Sequence, residues 1–486
     1  MLFCLDDLRF KYELEKLART VLPFEKFTFT ENEQDLHEGV QYIKILSKTS
    51  LITEINVDGK LETRKRPKTT EDFDENELQL ALMLFDCIYA VSGYRSPWGI
   101  LTGIRPAKLI GKLIAADGLK AAVDCFKNTF LVSDDKIRLC LECNRSERAI
   151  VERSAPNSFS LYISVPFCPS RCNYCSFVSH SVEQAKRLIP KYTELLCREI
   201  RETAKIAKSL NLKLKTIYIG GGTPTTLSAE QLTQVLDTVK GSFDFSDLEE
   251  YTVEAGRPDT VTKEKLLAIK SGGATRISIN PQTMNDEVLK NIGRRHTVAE
   301  MIDAFHLARE CGFDNINTDL IAGLSGDTFE SFCHSVDEII ALDPENVTVH
   351  TLSMKRASNL TKSQTVFDLK EGETAAKMVD YARMKLIEHG IKPYYMYRQS
   401  KTVGNLENVG YAKQGYEGLY NVYIMDETHT ILACGASAVI KLREIGGDNI
   451  ERIFNYKYPY EYIEKFNDII DRKQKILEFY KGILTV

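Results

Sequence analysis

Residues 168–177 read CPSRCNYCSF, with Cys168, Cys172 and Cys175 in a C-x3-C-x2-C frame and Phe177 where a further thiol could have stood. A structural iron or zinc site takes four protein ligands. Three leave a coordination position for a group from outside the chain. Steps of four and three also put three residues on one face of a helix, and buried cysteines are common, but Pro166 and Pro169 oppose a regular helix here. Two metal chemistries fit the trio. A four-iron cluster takes one thiolate per iron, so one iron stays open to a small chelator carrying an amine and a carboxylate. Zinc held by three thiolates and a water is the other, although no neighbouring His or Glu frame completes a hydrolase.

The trio follows the apolar run SLYISVPF, the first of six. LKTIYIGGG, EEYTVEAG, ATRISIN, FDNINTDLIAG and ENVTVHTL continue the series. Between them lie helical patterns such as IPKYTELLCREIRETAKIAKSL, SAEQLTQVLDTVKG and TVAEMIDAFHLARECG. This alternation predicts an α/β fold with a parallel sheet curled into a partial (β/α)6 barrel over 156–360. Reactive groups then sit at the carboxyl ends of the strands.

Two extensions flank the barrel. Residues 1–155 read as an N-terminal α+β module, with a hairpin turning at Asp58-Gly59 and a helix in NELQLALMLFDCIYAVSGY. The segment SPWGILTGIRPAKLIGKLIAADG holds the single tryptophan, Trp98, beside Arg105 and Lys108, and reads as a packing motif. Residues 361–486 read as a C-terminal α+β extension on the substrate side, with a tyrosine run at Tyr394, Tyr395 and Tyr397 and a helical, charged tail over 450–486.

The chain has 486 residues, 43% hydrophobic and 27% charged, as in ordinary globular proteins. Its 63 basic and 68 acidic residues give a net charge of −5, which offers no basic field for nucleic acid. No apolar run is long enough for a membrane span, and the amino terminus becomes charged at Asp6, too early for a signal peptide. A cytoplasmic location is expected. Twelve cysteines in so long a chain do not make a secreted disulfide framework. A second C-x2-C, Cys140 and Cys143, lies in a charged helical setting without a partner pair, which argues against an accessory cluster.

The strand ends carry the remaining polar candidates. Gly220, Gly221 and Gly222 permit close backbone approach to a ligand. Glu254 and Gln282 could hold hydroxyls, Arg294 could pair with a carboxylate, and Asp319 and His350 end the fifth and sixth strands. A histidine such as His350 is more often a satisfied core residue. The small-residue run CGASAV, Cys434 to Val439, suits close strand packing or a ligand equally.

Taken together, these motifs resemble the radical S-adenosylmethionine (SAM) superfamily, and within it the oxygen-independent coproporphyrinogen III oxidases and their relatives. LYISVPFC, GGGTPT, RISINPQ, DEVLKNIGRRH and DLIAGLSG fall in that family's order over roughly residues 160–350, while GIRPAK and GNLENVGYA resemble a Gram-positive coproporphyrinogen dehydrogenase branch. The resemblance implies a [4Fe-4S] cluster on Cys168, Cys172 and Cys175, whose open iron chelates SAM and whose electron cleaves it to a 5′-deoxyadenosyl radical. It further implies that Tyr162, Tyr174, Gly221, Gly222, Thr223, Glu254, Gln282, Arg294 and Asp319 line the SAM site.

The implied reaction is oxidative decarboxylation of two propionates of coproporphyrinogen III to vinyl groups, giving protoporphyrinogen IX in haem biosynthesis. It needs a tetrapyrrole substrate, a low-potential electron donor and an electron acceptor, with Arg398 and Lys401 as candidate propionate contacts from an exposed loop. The sequence departs from the family twice. The oxidases carry a fourth cysteine where this chain has Phe177, as the related haem chaperones do; the chaperones carry a His-Asn pair where this chain has Gly404-Asn405. Haem delivery, or a haem-opening radical SAM methyltransferase, are the alternatives.

Overall fold

Six continuous apolar runs, each too short for a helix and each followed by one, fold as parallel strands buried on both faces. The computed structural model describes residues 1–23, 25–175, 180–353, 369–399, 401–447 and 449–484. In chain order, the front sheet comprises β1 (Leu2–Leu5), β2 (Thr28–Thr30), β3 (Tyr42–Leu46), β4 (Ser50–Val57) and β5 (Lys60–Pro67), ordered β2-β1-β3-β4-β5. Its hairpin turns at Asp58 and Gly59, both with positive φ, as a type I′ turn requires.

The main sheet begins with β6 (Ser158–Val165), from which the cysteine loop departs through the short pair β7 (Phe167–Cys168) and β8 (His180–Ser181). It continues through β9 (Lys213–Gly221), β10 (Glu250–Glu254), β11 (Arg276–Ser278), β12 (Ile316–Ala322) and β13 (Asn346–Thr351). These six are the runs read as strands, and they pair in parallel from β6 to β13. The carboxyl-terminal extension then adds to both edges. β14 (Lys392–Arg398) and β15 (Glu407–Ala412) pair antiparallel beside β13; β16 (Thr430–Cys434) joins β6 in parallel, and β17 (Val439–Arg443) and β18 (Ile450–Phe454) follow it antiparallel. The result is an 11-stranded sheet with β14 and β18 at its ends. The helical tail expected from residue 450 begins later, because 450–454 form the edge strand β18.

The front segment packs in two parts. Residues up to Val91 build their own core from the front sheet and the helices Lys11–Ala18 and Phe73–Ser92. From Trp98 onward the chain joins the core of the main sheet, through the helices Pro106–Asp124 and Asp134–Val151. Trp98 Nε1 donates to Glu407 Oε2 at 2.8 Å, and Lys136 Nζ donates to Glu407 Oε1 at 2.6 Å. Arg105 Nη1 reaches Glu427 Oε2 at 2.7 Å and Lys108 lies against Asp426, so both cations face the end of the helix Leu419–Asp426, where the helix dipole favours them. The GIRPAK segment is thus a packing clamp.

Arg398 corrects one expectation. It is not on an exposed loop but 3% exposed at the end of β14, where Nη1 donates to Leu101 O at 2.5 Å and Nη2 to Asn405 O at 3.3 Å. Its guanidinium carbon lies 4.9 Å from the centre of the Trp98 ring. With these partners it joins the front segment to the barrel and is not available to a propionate. Lys401 follows in a turn, half-buried, at φ +66°.

Candidate functional site

The cysteine loop leaves β6 and is fastened to two neighbouring turns. Gly222 N donates to Val165 O at 2.8 Å and Thr223 N to Phe167 O at 2.7 Å, which ties the glycine turn after β9 to the loop's entry. A Cβ on Gly222 would stand 2.5 Å from Phe167 O, so only glycine permits this approach. Farther along, Asn173 N and Nδ2 donate to Ile292 O and Asn291 O, at 2.9 and 2.8 Å, and Ser170 Oγ donates to Gly293 O at 2.9 Å. Cys175 N closes the turn onto Cys172 O at 3.2 Å. Cys172 is buried, while Cys168 and Cys175 are half-buried. Phe177 lies outside the described residues.

Thr223 and Arg257 donate to sulfurs of the trio. Thr223 Oγ1 lies 3.5 Å from Cys168 Sγ, and Arg257 Nη1 lies 3.7 Å from Cys172 Sγ. Among the described residues, no three His, Cys, Asp or Glu side chains gather closely enough to hold one metal ion. A cluster that takes each thiolate on a separate iron spreads its sulfurs more widely than a single ion does.

The other sequence candidates occupy different places: Glu254 closes β10 and Gln282 follows β11, but Asp319 stands in the middle of β12 rather than at its end, and Arg294 follows the helix Asp286–Asn291. Tyr218 OH donates to Glu254 Oε1 at 2.5 Å, and Tyr162, Tyr218 and Tyr420 stack across the barrel interior with ring centres 4.6–6.2 Å apart. Burial raises the Glu254 carboxyl to about 7, with Asp319 adding to the rise and the Tyr218 hydroxyl opposing it. Asp319 goes the other way. Burial pushes it up, but His350 and the hydrogen bonds it accepts hold it below the usual carboxylate range; Asn317 Nδ2 donates to Oδ1 at 2.8 Å and His350 Nε2 stands 3.7 Å from Oδ2. Tyr397 OH lies 3.4 Å from His350 Nδ1, so this tyrosine and this histidine face the interior.

Gln282 ends the β11 segment at φ +71°, with its N donating to Asp319 O and its O accepting from Ile321 N, both at 2.9 Å. Left-handed backbone on a glutamine is strained, and such strain persists where the surroundings impose it. Arg294 is buried: Nη1 donates to Asn280 O at 2.7 Å and Gly256 O at 3.0 Å, and Nη2 to Tyr174 OH at 3.2 Å. Among the described residues, Arg294 Nε and Asn280 Oδ1 are buried without a partner, polar capacity of the kind a bound ligand satisfies.

Other candidates lie elsewhere. Cys140 and Cys143 are buried in the core, Cys140 Sγ 4.0 Å from Met396 Sδ. The CGASAV run packs closely: a Cβ on Gly435 would stand 2.4 Å from Ser164 O, and Gly435 N donates to the buried Glu199. Tyr218, Tyr420 and Arg257 belong to the site without having been singled out in the sequence. Arg257 carried a faint signal, a cation three residues beyond Glu254 at a strand end.

Residues 162–339 match the radical SAM superfamily. The oxygen-independent coproporphyrinogen-III oxidase-like protein HemZ of Bacillus subtilis (strain 168) is 39% identical over 412 residues, 84% of this chain and 82% of that protein. The chain belongs to the radical SAM superfamily, in its oxygen-independent coproporphyrinogen III oxidase-like branch. The heme chaperone HemW of the same organism is 35% identical, across 58% of this chain and 71% of its own length. The structure of coproporphyrinogen III oxidase HemN from Escherichia coli, described as a radical SAM enzyme, shares the fold at a TM-score of 0.51 and 20% identity, covering 66% of this chain and 71% of that one. The superfamily uses a [4Fe-4S] cluster and SAM, and these are the cofactors here. The donor set fits them, with three thiols on one loop and, among the described residues, buried polar atoms of Arg294 and Asn280 that lack a partner. No helix among the described residues is long and apolar enough to cross a membrane.

Proposed function

We propose that this protein is an oxygen-independent coproporphyrinogen III oxidase (dehydrogenase)-like enzyme, converting two propionates of coproporphyrinogen III to vinyl groups and giving protoporphyrinogen IX. One observation carries the reading: Gly220 lies against the Glu254 carboxyl, Gln282 is bonded to the backbone of Asp319, and Arg294 is bonded to Tyr174 of the three-cysteine loop. In this reading Cys168, Cys172 and Cys175 hold the cluster. The backbone of Gly220, Gly221 and Gly222 meets the amino group of SAM, Glu254 and Gln282 its ribose hydroxyls, and Arg294 a carboxylate, while Tyr162, Tyr174, Thr223 and Asp319 complete the lining. When bound, the cluster and SAM supply hydrogen-atom abstraction at the propionate carbon attached to the ring. The substrate then loses CO2 and one electron to an acceptor, and a low-potential donor supplies the electron that starts each cycle. Tyr162, Tyr218 and Tyr420 stack across this interior, and excluding water from it would protect a reactive carbon centre from side reactions.

Phe177 favours a second reading, haem delivery, which the likeness to the chaperone HemW also supports; Gly404 lacks the histidine that reading calls for. Anaerobic incubation of the reconstituted protein with reductant, SAM and coproporphyrinogen III separates them. The enzyme yields 5′-deoxyadenosine together with a divinyl product. Stoichiometric haem uptake without turnover supports delivery, and methylated, ring-opened haem a methyltransferase.

The Glu254 carboxyl sets a pH dependence. Its value of about 7 lies above the ordinary 4.5, so keeping it ionised costs folding free energy that grows between these values and is constant above them. A carboxylate accepts hydroxyl hydrogen bonds more strongly than a neutral carboxyl does, by ~1 kcal/mol. SAM affinity should therefore rise about three- to fourfold from about pH 6 to about pH 8. Equilibrium binding measured anaerobically checks this, and in Glu254→Gln the rise should vanish.

A further inference from the structure

Arg257 stands at the carboxyl end of β10, 3% exposed, and none of the roles above uses it. Its guanidinium spans the cysteine loop. Nη1 donates to Ser170 O at 3.2 Å and lies 3.7 Å from Cys172 Sγ, and Nη2 donates to Ser170 Oγ at 2.9 Å. The same group is held from the other side by Asp259, with Nε 3.2 Å from Oδ1 and Nη2 3.3 Å from Oδ2. A planar fork of five N–H donors reaches these partners at once; an ammonium cannot.

We propose that Arg257 is a positioning residue that fixes the Ser170–Cys172 turn and raises the reduction potential of the cluster by donating a charge-assisted hydrogen bond to Cys172 Sγ. The inference rests on the reading of Cys172 as a cluster ligand. Reduction adds a negative charge to the cluster, and part of that charge resides on its sulfurs. A buried cation and an N–H donor at one sulfur stabilise the reduced form more than the oxidised one, so the potential rises. Asp259 offsets part of the cation's field while holding it in place. The two residues therefore have opposite electrostatic signs at the cluster even though both support the same turn.

The test is a redox titration followed by electron paramagnetic resonance on the full chain, reconstituted without oxygen and without SAM. Arg257→Gln removes the charge and the fork. Its potential should fall by about 59 mV, a tenfold change in the oxidised-to-reduced ratio for one electron. Arg257→Lys keeps the charge and should fall less. Asp259→Asn should move the potential upward. A merely structural role would lower iron content in every variant without this division of sign. Wild-type iron content with an unchanged potential in Arg257→Gln overturns the proposal, and so does a shift of Asp259→Asn in the same direction as the glutamine variant. If the glutamine variant loads no iron, the order of the lysine and asparagine variants about wild type decides. A wild-type protein without a four-iron signal would instead overturn the ligand reading itself.

Discussion

Cys172→Ala should leave a folded protein with no four-iron cluster: iron and sulfide fall to background, the brown colour is lost, and 5′-deoxyadenosine formation with SAM and reductant ceases. The expectation follows from the loop. Cys172 sits where Ser170, Asn173 and Cys175 are fastened by backbone and side-chain hydrogen bonds that do not involve its sulfur, so the turn survives while a ligand is lost. Three thiolates already leave one iron open, and a second vacancy exposes the cluster to loss. Cys143→Ala is the contrasting variant. Its thiol is buried in the core with a pKa raised by burial, and its removal should lower stability without altering iron content.

Lys136→Met should be the most damaging substitution outside the site. Glu407 is wholly buried and receives Lys136 Nζ at 2.6 Å and Trp98 Nε1 at 2.8 Å. Removing the lysine strands a carboxylate in the joint between the front segment and β15, a loss of ~3–5 kcal/mol. Urea denaturation reads it as a lower midpoint. The double variant Lys136→Met/Glu407→Gln should recover most of the loss, because a neutral amide still accepts from Trp98. Burial lowers the Lys136 pKa but Glu407 and Asp380 outweigh it, so the net shift is upward; burial likewise opposes the downward shift of Glu407 caused by Lys136. The lysine's contribution is complete below its unfolded value of 10.5 and is lost as pH rises through the folded one. That of the glutamate is complete above 4.5 and is lost as pH falls through its folded value. Between these limits the pair is insensitive to pH.

The six parallel strands were legible because burial on both faces leaves a near-continuous apolar run, and the cysteine spacing marked the first of them. The edge strands were harder. β18, IERIF, has only Ile453 buried, and its polar residues face solvent as those of an exposed helix would. Arg398 misled because YMYRQSK reads locally as a strand running into a polar loop. Its burial depends on Trp98 and Leu101, roughly three hundred residues earlier in the chain, a contact that no local pattern encodes. Glu254 and Gln282 were found through their places after apolar runs, and Arg294 and Asp319 through a family resemblance, for Arg294 follows a helix and Asp319 lies inside β12. Tyr218 and Tyr420 were not, because tyrosines in strands and helices ordinarily read as core. Arg257 shows the same limit from the polar side: its partners Ser170 and Cys172 come from a different turn of the barrel.

The most direct measurement is electron paramagnetic resonance of the anoxically reconstituted, reduced protein before and after addition of SAM. The account predicts a four-iron signal that changes when SAM binds the open iron, followed by 5′-deoxyadenosine. A colourless mononuclear centre, or a cluster signal indifferent to SAM, would contradict it.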